Sequence, residues 1–249
     1  MENIPELYIL GNPIDTRIGK LYPVKIKDYY EFLKHQYTLL FEIDDLVKIF
    51  EMICQQDSSY NFFVNYLKSS NLFDFLCLFK QDEPREIKWM YEFYIKFKEL
   101  FQFCFKEDVF DLIQSNEEFE EYRELIKNVN YIKVEKPNPN PEIERRNKLK
   151  RLLEQNRNDN ITFEAMFTSI EAITGRDPNE MTIYRFHKLF ERICQIKNYD
   201  TSTLFATISS EAKIEPWYKD IAISAKNENY ITEEQLRKAK LNKKLQQDL

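Results

Sequence analysis

Glycine is scarce in this sequence, with three residues among 249. Tight turns and phosphate-binding loops depend on glycine, because it adopts positive φ at no steric cost and lets the backbone approach a ligand closely. The sequence contains no Walker, dinucleotide-binding, nucleophile-elbow or EF-hand pattern. This scarcity argues against sheet-rich folds and nucleotide-binding loops, and it favours a helical protein.

Residues that commonly bind metals are few or widely spaced. The two histidines, His35 and His187, do not lie in an HExxH pattern. The four cysteines, Cys54, Cys77, Cys104 and Cys194, are far apart and form no CxxC pair. We therefore expect a non-enzymatic protein with no catalytic residues, no metal and no cofactor.

Long hydrophobic runs are also missing. No apolar stretch approaches the roughly 18–20 residues that a transmembrane helix needs, and the N-terminal residues do not follow the pattern of a signal peptide. The formal charge of −6 and the pI near 5.3 do not suggest a dedicated nucleic-acid binder, which usually carries an excess of basic residues. We expect a cytoplasmic protein, located in the host cytoplasm if it is viral, with the virion as the alternative location.

Aromatic residues are abundant, with 20 Phe and 15 Tyr. Many of them lie in stretches with helical periodicity, as do Leu46, Ile49, Phe50 and Ile53. Residues Leu7–Lys27 instead read as two or three short strands, because the apolar run Leu7–Leu10 and later extended pieces are separated by turn signals at Gly11 and Gly19. The predicted fold is mainly α, a multi-helix protein with a small N-terminal β-hairpin.

A charged stretch with three prolines divides the chain at residues 136–160. Pro137, Pro139 and Pro141 disfavour helix, and basic helix-forming residues follow them. The sequence therefore predicts an N-terminal hairpin and aromatic-rich helical domain over residues 1–135. A charged linker or helix follows over 136–160, and a C-terminal helical unit with a basic tail covers 161–249.

The most aromatic predicted helix places its rings on nearly all faces. Such a helix is either buried among its neighbours, or part of its surface forms a groove for an apolar partner segment. The candidate partner-binding residues are Trp89, Tyr91, Phe93, Tyr94, Phe97 and Phe101.

The linker also carries a basic strip formed by Arg145, Arg146, Lys148 and Arg151. Such a strip could contact phosphates, with an affinity that falls as salt rises. Glu142, Glu144 and Glu154 bracket it and no aromatic residues interleave, so a charged connecting helix is the alternative. Nucleic acid is thus not the expected partner.

Two segments resemble the tail assembly chaperones of tailed bacteriophages that infect low-GC Gram-positive hosts. The first is YILGNPIDTRIGKLYPVKIKDYYEFL, residues 8–33, and the second is MTIYRFHKLFERICQIKNYD, residues 181–200. Arg185 stands where that family's pattern would have Gln, and the segment after Tyr199 lacks the expected small apolar ending beyond Phe205 and Ala206.

The resemblance implies a soluble, non-enzymatic helical protein that covers the apolar helical tape measure protein before the tail tube polymerises. Two alternatives remain open: a virion structural component such as a neck, tail or baseplate subunit, and a DNA-contacting phage factor that uses the basic strip. The expected partners are a tape-measure-type client or other virion proteins, with no membrane and with a homo-oligomer as a possibility.

Overall fold

The structure, a computed structural model, describes residues 5–55, 60–80, 88–133, 140, 142–147, 149, 161–209, 214 and 216–218. They fall into two compact units. The first unit contains the described parts of Met1–Ile132 and Ile170–Cys194, and the second those of Lys133–Ser169 and Gln195–Leu249. The boundaries predicted at residues 135 and 160 stay a prediction.

The first described element is a short helix, α1 (Pro5–Leu10), so the strand predicted over Leu7–Leu10 is wrong. A short apolar run has no periodicity that separates helix from strand. Pro5 at the start and Glu6 in the first turn both suit a helix N-terminus. Gly11 follows with a φ of 72°, and a Cβ at this position would lie 2.8 Å from Thr182 Cγ2.

The predicted hairpin is confirmed in the segment that follows α1. Strands β1 (Ile14–Thr16) and β2 (Gly19–Leu21) pair antiparallel, with Ile14 opposite Leu21 and Thr16 opposite Gly19. Because so short a hairpin is not stable alone, it depends on the helices that it packs against. The backbone N–H of Tyr22 donates to the carbonyl of Cys104 at 2.9 Å, next to the end of β2.

Helices make up most of the remaining described chain, which confirms the mainly α fold. Short 3₁₀ turns lie at Ile26–Asp28, Phe110–Leu112 and Pro178–Glu180. The α-helices are α2 (Tyr29–Leu40), α3 (Ile43–Cys54), α4 (Asn61–Ser69), α5 (Leu72–Cys77), α6 (Lys88–Phe105), α7 (Asn116–Val129), a helical stretch α8 over residues 142–147, α9 (Phe163–Thr174) and α10 (Ile183–Ala206). Within the part of the chain that is described, no helix has the length and apolar character to cross a membrane.

An aromatic cluster between α6 and α7 forms the centre of the first unit. Phe97, Phe101, Phe110 and Phe119 are fully buried, and the ring centroids of five of their six pairs lie 5.2–6.4 Å apart. Edge-to-face and offset contacts at these distances add to the burial of a large apolar area. The cluster contains four of the 20 phenylalanines of the chain.

The beginning of α10 and the residues before it pack on the N-terminal segment. Ile26 N–H donates to the carbonyl of Met181, and Ile183 N–H donates to the carbonyl of Val24, both at 2.9 Å. Val24 N–H also donates to Oδ1 of the buried Asn130, which follows α7. Residues 24–26 are therefore held between α7 and the start of α10.

Tyrosine rings pack against one another in the same region. Tyr184 of α10 makes edge-to-face contacts with Tyr8 and Tyr131, each with a centroid distance of 5.6 Å. Tyr131 also stacks on His187 and hydrogen-bonds Glu191 through its hydroxyl. Burial raises the pKa of Tyr184 to about 12, so its hydroxyl stays protonated at neutral pH.

The second unit includes α8, the first part of α9 and the last part of α10. Thr162 directly precedes α9 and caps it, because its Oγ1 accepts a hydrogen bond from the backbone N–H of Ala165 at 3.1 Å. Apolar side chains are exposed near the end of α10, among them Leu204, Phe205 and Ile208.

Candidate functional site

Helices α2 and α6 pack against each other through aromatic residues at both ends of their contact. Phe103 of α6 lies 6.2 Å from Phe32 and 5.1 Å from His35, measured between ring centroids. Ten residues earlier in α6, Phe93 contacts Phe41 at 4.7 Å. The two helices therefore run antiparallel along their shared surface.

A groove with a volume of about 510 Å³ lies along this pair, and the beginning of α3 forms part of its wall. Its size is typical of sites that bind the apolar part of a ligand. The lining residues are Glu31, Lys34, His35, Tyr37, Thr38, Phe41, Leu46, Ile49, Glu92, Phe93, Lys96 and Glu99.

The groove has an apolar base and a polar rim. Phe41 and Leu46 are buried, Ile49 and Phe93 are half-buried, and Tyr37 at the edge is 74% exposed. A large aromatic side chain this exposed, beside buried apolar residues, is suited to contact with a partner. The charged rim residues Glu31, Lys34, Glu92, Lys96 and Glu99 are exposed.

A buried arginine fixes the bend between α2 and α3. Arg123 of α7 is fully buried, and its Nη2 donates to the carbonyls of Leu39 and Phe41 at 2.9 and 2.5 Å. The same side chain forms ion pairs with Glu42 and Glu120. Because the last carbonyls of a helix have no partner within it, Arg123 satisfies groups that would otherwise be buried and unpaired.

His35 is the histidine that lines the groove. Burial lowers its pKa, and this effect outweighs the nearby Glu99 and Glu31 carboxylates, which raise it. A neutral imidazole is therefore the form present at neutral pH. It adds a polar, uncharged group to a mostly apolar base.

The structure separates the six predicted partner-binding residues of α6 into two groups. Tyr94, Phe97 and Phe101 are core residues with at most 3% of their surface exposed. Tyr91 and Phe93 are half-buried, and Phe93 lines the groove. Trp89 belongs to α6, but its side chain lies outside what the structure describes. Partner contact stays a prediction for this helix, and among the six residues Phe93 is the member that lines the groove.

The basic strip is only partly described. Arg145 and Arg146 are exposed on α8, whereas Lys148 and Arg151 lie outside the described residues. A phosphate contact there stays a prediction.

Within the described ranges, no group of three His, Cys, Asp or Glu residues is placed to hold a metal ion. The four cysteines are free thiols. Burial raises the pKa of Cys104 to about 12, which keeps it in the unreactive thiol form at neutral pH.

Sequence reasoning missed most of the groove. It identified Phe93, but the residues that α2 and α3 contribute carry no signal that distinguishes them from other amphipathic helix residues. Tyr37 and Ile49 are twelve residues apart, and only the bend at Phe41 and Glu42 brings both to the groove. The role of Arg123 could not be predicted either, because Arg123 lies in a helix rich in acidic residues, where an ion pair at the surface is the usual expectation.

The chain matches two family models and one curated protein. The family model described as the YomV N-terminal domain matches residues 2–139, and that described as the YomV second domain matches residues 156–222. The chain is also 26% identical over 232 residues to the SPbeta prophage-derived uncharacterized protein YomV of Bacillus subtilis (strain 168), covering 92% of this chain and 93% of that protein. No solved structure matches it. The chain thus has a phage-derived relative over most of its length, and it belongs to the YomV family.

Proposed function

We propose that this protein is a phage tail assembly chaperone that binds an apolar helical segment of a tape-measure-type client in the groove between α2 and α6. The relationship to a prophage-derived protein supports a phage role. The groove itself is the observation that carries the proposal, because it combines an apolar base with the exposed aromatic side chain of Tyr37.

The geometry of the groove suits a helical client. The part of α2 that lines it runs from Glu31 to Thr38, about two helical turns, and Phe41 lies just beyond. A partner helix lying along α2 and α6 would place apolar residues spaced by three or four positions over Tyr37, Phe41 and Phe93. Such contacts shield an apolar stripe from water and so prevent the client from aggregating.

Co-expression with the tape measure protein of the same genome tests this proposal. The wild-type chain should raise the amount of client in the supernatant and co-elute with it. Tyr37→Glu should abolish both effects, because it places a charge at the apolar groove. Tyr30→Glu is the matched control, since Tyr30 lies on the same helix at 71% exposure and does not line the groove. Failure of the wild-type chain to bind the client, or equal binding by both variants, would reject the proposal.

Mass spectrometry of purified virions and of infected-cell lysate separates this role from a permanent structural one. A chaperone should be abundant in the lysate and absent from virions. A fixed copy number in virions would instead identify a neck, tail or baseplate component.

A further inference from the structure

We propose that the groove selects client helices by charge, and that its preferred partner carries a basic, an acidic and a basic residue beside its apolar stripe. The inference rests on the proposed function and specifies the chemistry of the partner. It comes from Glu92, Lys96 and Glu99, which line the groove from the α6 side.

These three residues form an ordered row along one side of α6. The spacings of four and three residues place them on one face of the helix, one turn apart. All three are exposed, and they line the groove together with the half-buried Phe93, which Glu92 precedes and Lys96 and Glu99 follow. A helix bound over Phe93 would therefore have its flanking residues within reach of this row.

The two rims of the groove differ in how their charges are paired. On the α2 side, Lys34 Nζ and Glu31 Oε2 lie 2.5 Å apart, so the two charges neutralise each other. On the α6 side, no ion pair of Glu92, Lys96 or Glu99 occurs among the residues that the structure describes. The α6 rim thus presents an alternating negative, positive and negative row to a partner.

A complementary client places positive, negative and positive side chains at matching spacings of three or four residues. Because the row has the same signs when read from either end, it selects the charge pattern without fixing the direction of the bound helix. Exposed ion pairs are individually weak. A matching client forms three of them, however, whereas an unsuitable partner places like charges opposite the same row. We therefore expect the two binding affinities to differ by about tenfold at low salt. The apolar base supplies the affinity, and the rim supplies the selection.

Two synthetic helical peptides with the same leucine stripe test the inference by fluorescence anisotropy with the full chain. The first carries Lys, Glu and Lys beside the stripe at the spacing of the rim, and the second carries Glu, Lys and Glu. We expect the wild-type chain to bind the first peptide about tenfold more tightly. The preference should shrink at high ionic strength, because salt screens exposed charges.

A charge-inverted variant provides the decisive comparison. Glu92→Lys, Lys96→Glu and Glu99→Lys together should reverse the preference for the two peptides. Glu171→Lys is the control, since this exposed residue of α9 changes the net charge by the same amount and does not line the groove.

The possible failures are distinguishable. Equal binding of both peptides, abolished by Tyr37→Glu, would overturn the charge selection and leave the groove as a client site. A preference that the inverted variant fails to reverse would overturn it as well. No binding of either peptide to the wild-type chain would overturn the inference together with the groove.

Discussion

At the scale of single residues, Arg123 connects the groove to the core. Its guanidinium donates hydrogen bonds to the carbonyls of Leu39 and Phe41, at the bend between α2 and α3. The aromatic ring of Phe119 lies against it, with the guanidinium carbon 5.4 Å from the ring centroid. Phe41 and Leu46, which flank this bend, are both groove residues. Arg123 therefore positions one wall of the groove without lining it.

Replacement of Arg123 by Met should lower the free energy of unfolding by about 3 kcal/mol. Methionine fills a similar volume but leaves the two carbonyls unsatisfied and removes both ion pairs. Urea unfolding followed by circular dichroism measures the change. Arg185→Met is the control, because Arg185 is exposed on α10 and its replacement should change stability by less than about 0.5 kcal/mol. A loss for Arg123→Met no larger than the control's would show that the buried hydrogen bonds contribute little.

At the scale of elements, the sequence predicted regular helices best. The position of α3 follows from the apolar spacing of Leu46, Ile49, Phe50 and Ile53, and α6 contains the aromatic residues of the most aromatic predicted helix. α1 was predicted as a strand, because six residues are too few for a period to appear. The contact between residues 24–26 and 181–183 could not be predicted, because the local sequence pattern of either segment does not indicate which distant segment it pairs with.

That long-range contact includes a charged clamp. Glu180 accepts hydrogen bonds from Lys25 Nζ at 2.6 Å and from Lys27 Nζ at 2.9 Å, beside the backbone bridge between Lys25 and Thr182. These two hydrogen bonds lower the pKa of the Glu180 carboxyl to about 2. The clamp joins the 3₁₀ turn Ile26–Asp28 to the turn Pro178–Glu180.

The clamp should make stability depend on pH in a defined window. Since the pKa of Glu180 is lower in the folded chain than its ordinary value of 4.5, its stabilisation is present above pH 4.5 and is lost as the pH falls towards 2. The difference in urea midpoint between wild type and Glu180→Gln should be constant near neutral pH and shrink below pH 4.5. High salt should reduce it at all pH values, because the pair is exposed.

Glu171→Gln serves as the control for this titration, because the exposed Glu171 forms no ion pair among the described residues. Its difference from wild type should be small and should show no comparable loss below pH 4.5. A Glu180→Gln difference that stays unchanged from pH 6.5 to pH 3 would contradict the assignment of the clamp.

At the scale of the whole molecule, the first compact unit crosses the boundary between the two matched family domains. The N-terminal domain model ends at residue 139, yet this unit also contains Ile170–Cys194. Met181, Ile183, Tyr184 and Phe186 are all buried there. Each such side chain contributes roughly 1.5–3 kcal/mol when fully buried, so together they are comparable with the whole stability of a typical domain.

A fragment ending at residue 139 should therefore be much less stable than the full chain. It would expose Tyr8, Ile26 and Tyr131 and leave the N–H of Ile26 and the carbonyl of Val24 without their partners. We expect a lower melting temperature, binding of an apolar dye and poor recovery in the supernatant. Residues 161–209, supplied as a separate chain, should reverse these effects. If the fragment melts cooperatively at the temperature of the full chain, the N-terminal domain folds alone and α10 is not part of its core.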